Sequence, residues 1–276
     1  MINHPVMRYH GGKFRLAPWI MSFFPPHTRY VESFGGAAGV LVRKPRVHSE
    51  VYNDLDQAVV NVFRVIQNPD TRARLIESIA LTPYAREEFV LAYEHSDDPV
   101  ECARRTLISS HMGFGSAGAT KGKTGFRSDS RRSGTAAHLW SRYPDEIQKF
   151  GARFEGVIIE NITAARLIKN HDDENTLHLV DPPYLASTRN ACGSKCYRHE
   201  MTESDHAELL DVLQGVEGAV VLCGYPSDLY RDLLTGWRMH TTRSRMSSHR
   251  GTELKTEVVW LNQQCMDMQK QVRLIA

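Results

Sequence analysis

The sequence predicts an α/β fold, a doubly wound and mostly parallel sheet interrupted by an inserted, mainly helical region. Three observations point there. Short runs rich in Val, Ile and Leu recur along the 276 residues without strict alternation, as expected of strands covered on both faces. Helical patterns lie between several of them, and strand, helix, strand in succession is the signature of this class. From about Asn68 to Arg153 there is helical periodicity but no convincing strand.

The strand candidates are "RYVESF" (Arg29–Phe34), "EVYNDL" (Glu50–Leu55), "GVIIEN" (Gly156–Asn161), "TLHLVD" (Thr176–Asp181), "GAVVLCGY" (Gly218–Tyr225) and "TEVVWLN" (Thr256–Asn262). The clearest helix is "MTESDHAELLDVLQG". Thr202 and Asp205 have capping-box spacing, Leu209, Leu210 and Leu213 form a stripe, and Gly215 supplies a stop. Inside the helical insertion lies "GFGSAGATKGKTGFRSDSRRSG", Gly113–Gly134. Its Gly, Ser and basic residues, with Phe114 and Phe126 interleaved, predict a mobile loop or hairpin.

Composition is that of an ordinary globular protein. No apolar run approaches the roughly 18 residues needed to span a bilayer, and the N-terminus lacks the apolar core of a secretory signal. A cytoplasmic location is expected. The odd number of cysteines, five, reads as free thiols in a reducing compartment. Cys192 and Cys196 have no second ligand pair at matching spacing, so no metal is expected. Net charge is only +2, but Arg104–Arg153 carries ten Lys/Arg against three Asp/Glu, and Arg238–Arg250 carries four Arg and no acid. These segments sum to +7 and +4, leaving −9 elsewhere. Such concentration is the footprint of a polyanion partner. No feature fixes the oligomeric state.

"YVESFGGAAGVL" runs from a strand through a Gly/Ala turn towards a helical pattern. Small residues there admit a ligand close to the backbone. The spacing of Gly35, Gly36 and Gly39 is neither G-x-G-x-x-G nor a P-loop. Asp54 follows on the tip of the next strand, where a carboxylate suits the two hydroxyls of a ribose. A helix cap is its alternative role, although Asp56 is the better placed cap.

The run "HLVDPPYLAST" ends a strand in Asp181-Pro182-Pro183-Tyr184. The prolines fix φ and donate no N–H, so the turn presents acceptors only. The Asp181 carboxylate and the Pro182 carbonyl suit the two N–H groups of an exocyclic amine on a nucleobase. Such a pair would draw the nitrogen towards a tetrahedral shape and free its lone pair to attack. Tyr184 offers a flat face for a base. A rigid surface turn is the bland alternative, against which stands its place at the carboxyl edge of the sheet.

With these residues in place, the chain resembles the Dam-type DNA adenine methyltransferases, which methylate the N6 amino group of adenine using S-adenosylmethionine. The resemblance covers nearly the whole chain. "RYHGGKFRL" (Arg8–Leu16) is similar to the family's N-terminal cofactor motif, "ESFGGAAGV" to its glycine-rich motif, Asp181–Tyr184 to its catalytic tetrapeptide, and "KTEVVWLN" (Lys255–Asn262) to its final strand. It departs at Ser33, where proline is usual, and at Ala38, where glycine is.

The resemblance implies a Rossmann-like methyltransferase sheet formed by residues 1–67 and 154–276, with an inserted target-recognition domain over 68–153. It implies catalytic roles for Asp181, Pro182 and Tyr184, and cofactor contacts from Tyr9, Lys13, Phe34, Gly36, Asp54 and Asp181. It implies double-stranded DNA as partner, a place in restriction-modification, and flipping of the target base. Lys121, Lys123, Arg127, Arg131 and Arg132 are then candidates for a groove or the backbone. Arg189, Lys195, Arg198, Arg243, Arg245 and Arg250 are candidates for phosphates near the flipped base. Methylation of the cytosine N4 amino group would use the same acceptors and stays an alternative, as does a DNA-binding relative without catalysis.

Overall fold

The computed structural model describes residues 2–116, 118–120, 122–128, 135–189, 196–248 and 251–275, without the side chains of 244–248, 251–255 and 272–275. Helix α1 (Ala17–Met21) precedes strands β1 (Arg29–Glu32) and β2 (Ser49–Asn53). Six helices follow: α2 (Gln57–Gln67), α3 (Pro69–Ala80), α4 (Arg86–Leu91), α5 (Pro99–Met112), α6 (Ala136–Ser141) and α7 (Tyr143–Phe154). Then come β3 (Ile158–Glu160), α8 (Ala164–His171), β4 (Thr176–Val180), α9 (Glu203–Gln214) and β5 (Ala219–Cys223). The chain closes with α10 (Asp228–Leu233), β6 (Arg238–Ser248), β7 (Gly251–Leu261) and α11 (Gln263–Ile275).

Among the described residues, seven strands form one sheet in the order β3-β2-β1-β4-β5-β7-β6. Strands β3, β2, β1, β4 and β5 are parallel; β7 is antiparallel to both β5 and β6. Every residue of β4 and β5 is buried, which is why these strands read as continuous apolar runs rather than alternating ones. β1 lies between β2 and β4, where the winding reverses, and open sheets bind ligands beyond the carboxyl ends at such a point.

Register then places the site. Glu32 pairs with Tyr52 on one side and Leu179 on the other. Phe34, Asp54 and Asp181 each stand two residues further on, so three loops leave the sheet side by side. The expected strands Arg29–Phe34, Glu50–Leu55 and Thr176–Asp181 overran the sheet into these loops.

The insertion is helical, as expected. Six residues of α2, from Val59 to Ile66, are buried, because the sheet covers one side and inserted helices the other. Phe63 stacks on Phe154 with centroids 4.6 Å apart, and the apolar faces of α3, α5 and α7 join the cluster that includes β1 and β4. Within the Gly113–Gly134 run, an antiparallel bridge joins Gly113 to Phe126, and Phe126 packs on Tyr84 and Phe89. Phe114 stays exposed.

Two local expectations change. The segment Arg238–Ser248, which carries Arg243 and Arg245 and was not among the expected strands, is the edge strand β6. Polar and basic residues blunt an unpaired strand edge, and they also hide the strand from an apolar-run search. The pattern after the glycine turn forms single turns rather than a helix. Ala38 adopts φ +53°, a left-handed conformation that breaks helical geometry. The capping box on α9 forms as read, with Thr202 and Asp205 bonding reciprocally.

Ala38 sits where glycine was the family's usual residue. The left-handed backbone costs a non-glycine residue about 1–2 kcal/mol, but its methyl is fully buried. Glycine would forfeit about 0.8 kcal/mol of burial and a further 0.5–1 kcal/mol of chain entropy. Ala38→Gly should therefore shift stability by less than about 1 kcal/mol in a denaturant titration.

Candidate active site

One cavity opens beyond the carboxyl ends of β1, β2 and β4. It is lined by Tyr9–Lys13, Glu32, Phe34–Ala37, Gly39 and Val40, Asp54–Asp56, Leu179, Asp181, Pro183 and Tyr197–Met201. The six residues expected as cofactor contacts, Tyr9, Lys13, Phe34, Gly36, Asp54 and Asp181, all face it.

The glycine turn is shaped by close approach. Gly36 has φ +47°, and a Cβ there would lie 2.7 Å from the Tyr9 ring. A Cβ on Gly35 would run into Tyr52, and one on Gly39 would lie 2.7 Å from the Phe14 amide. The turn is tied to β2 by Tyr52, whose hydroxyl donates to the Gly36 carbonyl at 2.7 Å. Asp54 accepts from the Gly36 N–H and the Asp56 N–H, both at 2.8 Å, while burial pushes its carboxyl up from the usual range. Asp56 caps α2 through Ala58, as expected.

Asp181 and Lys13 form the centre. Lys13 Nζ lies 2.9 Å from Asp181 Oδ2 and donates to the Gly11 carbonyl at 3.0 Å. The same ammonium lies 5.0 Å from the centroid of the Tyr184 ring, and Tyr225 meets that ring edge-on at 4.7 Å. Burial raises the Asp181 carboxyl and Lys13 opposes it. Burial works against the Lys13 charge, but Asp181 together with Tyr184, Cys223 and Glu257 outweighs it and holds the ammonium above its ordinary value. The other oxygen, Asp181 Oδ1, is buried and has no hydrogen-bond partner among the described residues. A carboxylate fixed through one oxygen and open at the other is an acceptor waiting for an N–H or O–H donor.

Residues that carried no sequence motif also line the cavity. Glu32 is 4 % exposed, and its Oε2 accepts from the Tyr30 hydroxyl at 2.8 Å and the Leu41 N–H at 3.0 Å. Burial pushes its carboxyl up to about 8, against those two bonds. The signal was an acid at the end of an otherwise apolar strand. The folded value lies above the unfolded 4.5, so Glu32 favours the folded state fully below that pH and progressively less as pH rises towards 8. Glu32→Gln should flatten this limb of a stability-versus-pH profile. The Tyr197–Met201 turn had no recognisable signal, since it reaches the cavity only through tertiary packing.

The basic candidates divide. Arg198 lies 2.7 and 3.0 Å from the two Asp56 oxygens. Arg189 pairs with Glu200 and donates to the Tyr184 carbonyl. Both charges are matched inside the protein. Lys123 is exposed beside Tyr93, and Arg127 is half-buried next to Arg8. No ion pair engages Arg8 or Arg127 among the described residues, and the neighbouring charge with burial lowers Arg8. Arg243 is exposed on β6, beyond the last pairing of β7 with β5, where the two-stranded ribbon passes the carboxyl edge of the sheet. The Arg245 side chain, Lys121, Arg131, Arg132, Lys195 and Arg250 lie outside the described residues.

The strand order, with an antiparallel β7 inserted between β5 and β6, and the loops it aligns define a class: the Rossmann-like methyltransferase fold. Residues 9–247 match the family described as D12 class N6 adenine-specific DNA methyltransferase, and the chain belongs to that family. The modification methylase LlaI of Lactococcus lactis subsp. lactis is 24% identical over 228 residues, covering 79% of this chain and 35% of that protein. The chain thus spans about a third of that relative's length. Two solved structures show distant likeness. A precorrin 8w decarboxylase of Methanobacterium thermoautotrophicum has 11% identity and TM-score 0.34, covering 90% of this chain and 88% of that one. A conserved hypothetical protein of Streptococcus pyogenes has 10% identity and TM-score 0.33, covering 91% and 95%. Likeness this low carries no inference about fold or function.

Proposed function

We propose that this chain transfers a methyl group from S-adenosylmethionine to the N6 amino group of an adenine flipped out of duplex DNA. The observation that carries the reading is the buried Oδ1 of Asp181, unpartnered among the described residues, in a carboxylate held at the sheet edge by Lys13. Family membership supports the substrate class.

The cavity fits the methyl donor. The glycine turn lines the cavity with bare backbone, Asp54 offers a carboxylate for ribose hydroxyls, and Tyr9 and Phe34 offer apolar faces. When bound, S-adenosylmethionine supplies an electrophilic methyl group. The protein's own part is positioning. Lys13 fixes the Asp181 carboxylate, Oδ1 accepts one amino N–H, and the Pro182 carbonyl accepts the other. Tyr184 supports the base. As positive charge develops on the nitrogen, Asp181 stabilises it, and the proton leaves after transfer, when the nitrogen has become acidic.

In this reading residues 1–67 and 154–276 form the catalytic domain and 68–153 recognises the target. Lys123, Arg127, Arg243 and Arg8 then contact the DNA backbone, where half-buried guanidiniums without an acid would gain most from a phosphate. Lys121, Arg131, Arg132, Lys195, Arg245 and Arg250 stay candidates from the sequence. Among the described residues no helix is long and apolar enough to cross a membrane. DNA as substrate places the work in the cytoplasm.

Equilibrium dialysis with labelled S-adenosylmethionine tests the cofactor assignment. The wild-type protein should bind it, and Asp54→Ala should bind about 10- to 100-fold more weakly, the worth of a charged acceptor. Wild-type protein that retains no label, or an Asp54→Ala variant of unchanged affinity, contradicts it.

A further inference from the structure

The turn Cys196–Met201 is tied to three parts of the site. Tyr197 packs its ring 5.5 Å from His10 and 6.3 Å from Tyr9, and its hydroxyl donates to the His10 carbonyl at 3.4 Å. Gly11, at φ +71°, leaves room for that hydroxyl, which a Cβ there would strike. Arg198 reaches Asp56 at the start of α2, beside Asp54. Glu200 accepts from two N–H groups of its own turn and from Arg189, which in turn holds the Tyr184 carbonyl. The turn therefore bridges the N-terminal motif, the tip of β2 and the catalytic loop around one cavity.

We propose that this turn is a latch across the cofactor cavity and that the Arg198–Asp56 ion pair is its catch, which makes Arg198 a positioning residue for S-adenosylmethionine and not a phosphate contact. The inference rests on the reading that the cavity takes S-adenosylmethionine. Two facts favour it over a role on DNA. The Arg198 side chain is 40% exposed, but its partner Asp56 is 8% exposed and matches its charge, which weakens the pull of Arg198 on a polyanion. The pair also joins two segments that both line the cavity, so opening it frees the mouth on the Asp54 side.

The test must separate the catch from simple electrostatics. S-adenosylmethionine carries net positive charge, so losing Arg198 alone removes the catch but makes the site more attractive to a cation. Asp56→Asn keeps the α2 cap, since asparagine caps as well as aspartate. The Asp56→Asn/Arg198→Gln double variant leaves net charge unchanged and is decisive. Its dissociation constant for S-adenosylmethionine, without DNA, should rise about tenfold, the worth of one charge-assisted hydrogen bond, mainly through faster release in stopped flow. Its affinity for duplex DNA should stay within about twofold, and its far-ultraviolet circular dichroism should match wild type. Unchanged cofactor affinity and release overturn the latch. So does weakened DNA binding with unchanged cofactor binding, which returns Arg198 to a phosphate. Wild-type protein that binds no S-adenosylmethionine overturns the underlying reading instead.

Discussion

Asp181→Ala should reduce methyl transfer by about 10²- to 10⁴-fold, the range for removing a positioned group that stabilises charge in the transition state. The variant loses the open Oδ1 acceptor, and it also releases Lys13 from its 2.9 Å ion pair. An orphaned ammonium beside the cavity costs stability, although Lys13 keeps the Gly11 carbonyl and the Tyr184 ring. A drop in melting temperature is therefore expected alongside the loss of activity. The Asp181→Ala/Lys13→Met double variant separates the two effects: stability should recover, because no buried charge is left unpaired, while activity should not. Single-turnover transfer and thermal melting on both variants provide the check. Transfer within tenfold of wild type by Asp181→Ala contradicts the role given to its carboxylate.

The largest expected effect on stability lies at the opposite end of the sheet. Glu50, near the start of β2, accepts from Lys44 at 2.7 Å and from two Arg153 nitrogens at 2.6 and 2.9 Å. All three side chains are buried. Arg153 comes from α7, so this cluster fastens the last inserted helix to the sheet. Glu50→Gln leaves two buried cations without a counter-charge and should cost about 3–5 kcal/mol in a urea titration. Cofactor binding by the folded protein should change little, since none of the three residues lines the cavity.

The pH dependence of this cluster has a definite sign. Burial alone would raise the Glu50 carboxyl, but the bonds from Arg153 and Lys44 outweigh it and hold the folded value below the ordinary one. A depressed acid stabilises the fold fully above its unfolded pKa, 4.5 for glutamate. That contribution is lost as pH falls through the folded value. Wild-type stability should thus fall in acid more steeply than that of Glu50→Gln.

Much of this was legible in the sequence, and the reasons are physical. β4 and β5 are buried on both faces, so their apolar runs stood out. α9 carried its start signal in Thr202 and Asp205. The cofactor candidates were readable because register brings Phe34, Asp54 and Asp181 side by side, and each was marked by a local motif at a strand end. What stayed hidden has no local signature. β6 is a polar edge strand, and its basic residues interrupt the apolar run by which the other strands were found. Glu32 looked like part of a strand, since nothing in "RYVESF" says that Tyr30 and Leu41 hold its carboxyl. The ion pairs of Arg189 and Arg198 were not readable, because charge in a sequence carries no record of its partner. Glu200 and Asp56 are those partners, and Asp56 comes from a distant segment of the chain.

The most direct test is the chemical identity of the product. The protein is incubated with labelled S-adenosylmethionine and unmethylated duplex DNA, and the DNA is digested to nucleosides and separated. Label is expected in N6-methyladenine. Label confined to N4-methylcytosine, or DNA that binds the protein and takes up no label, contradicts it.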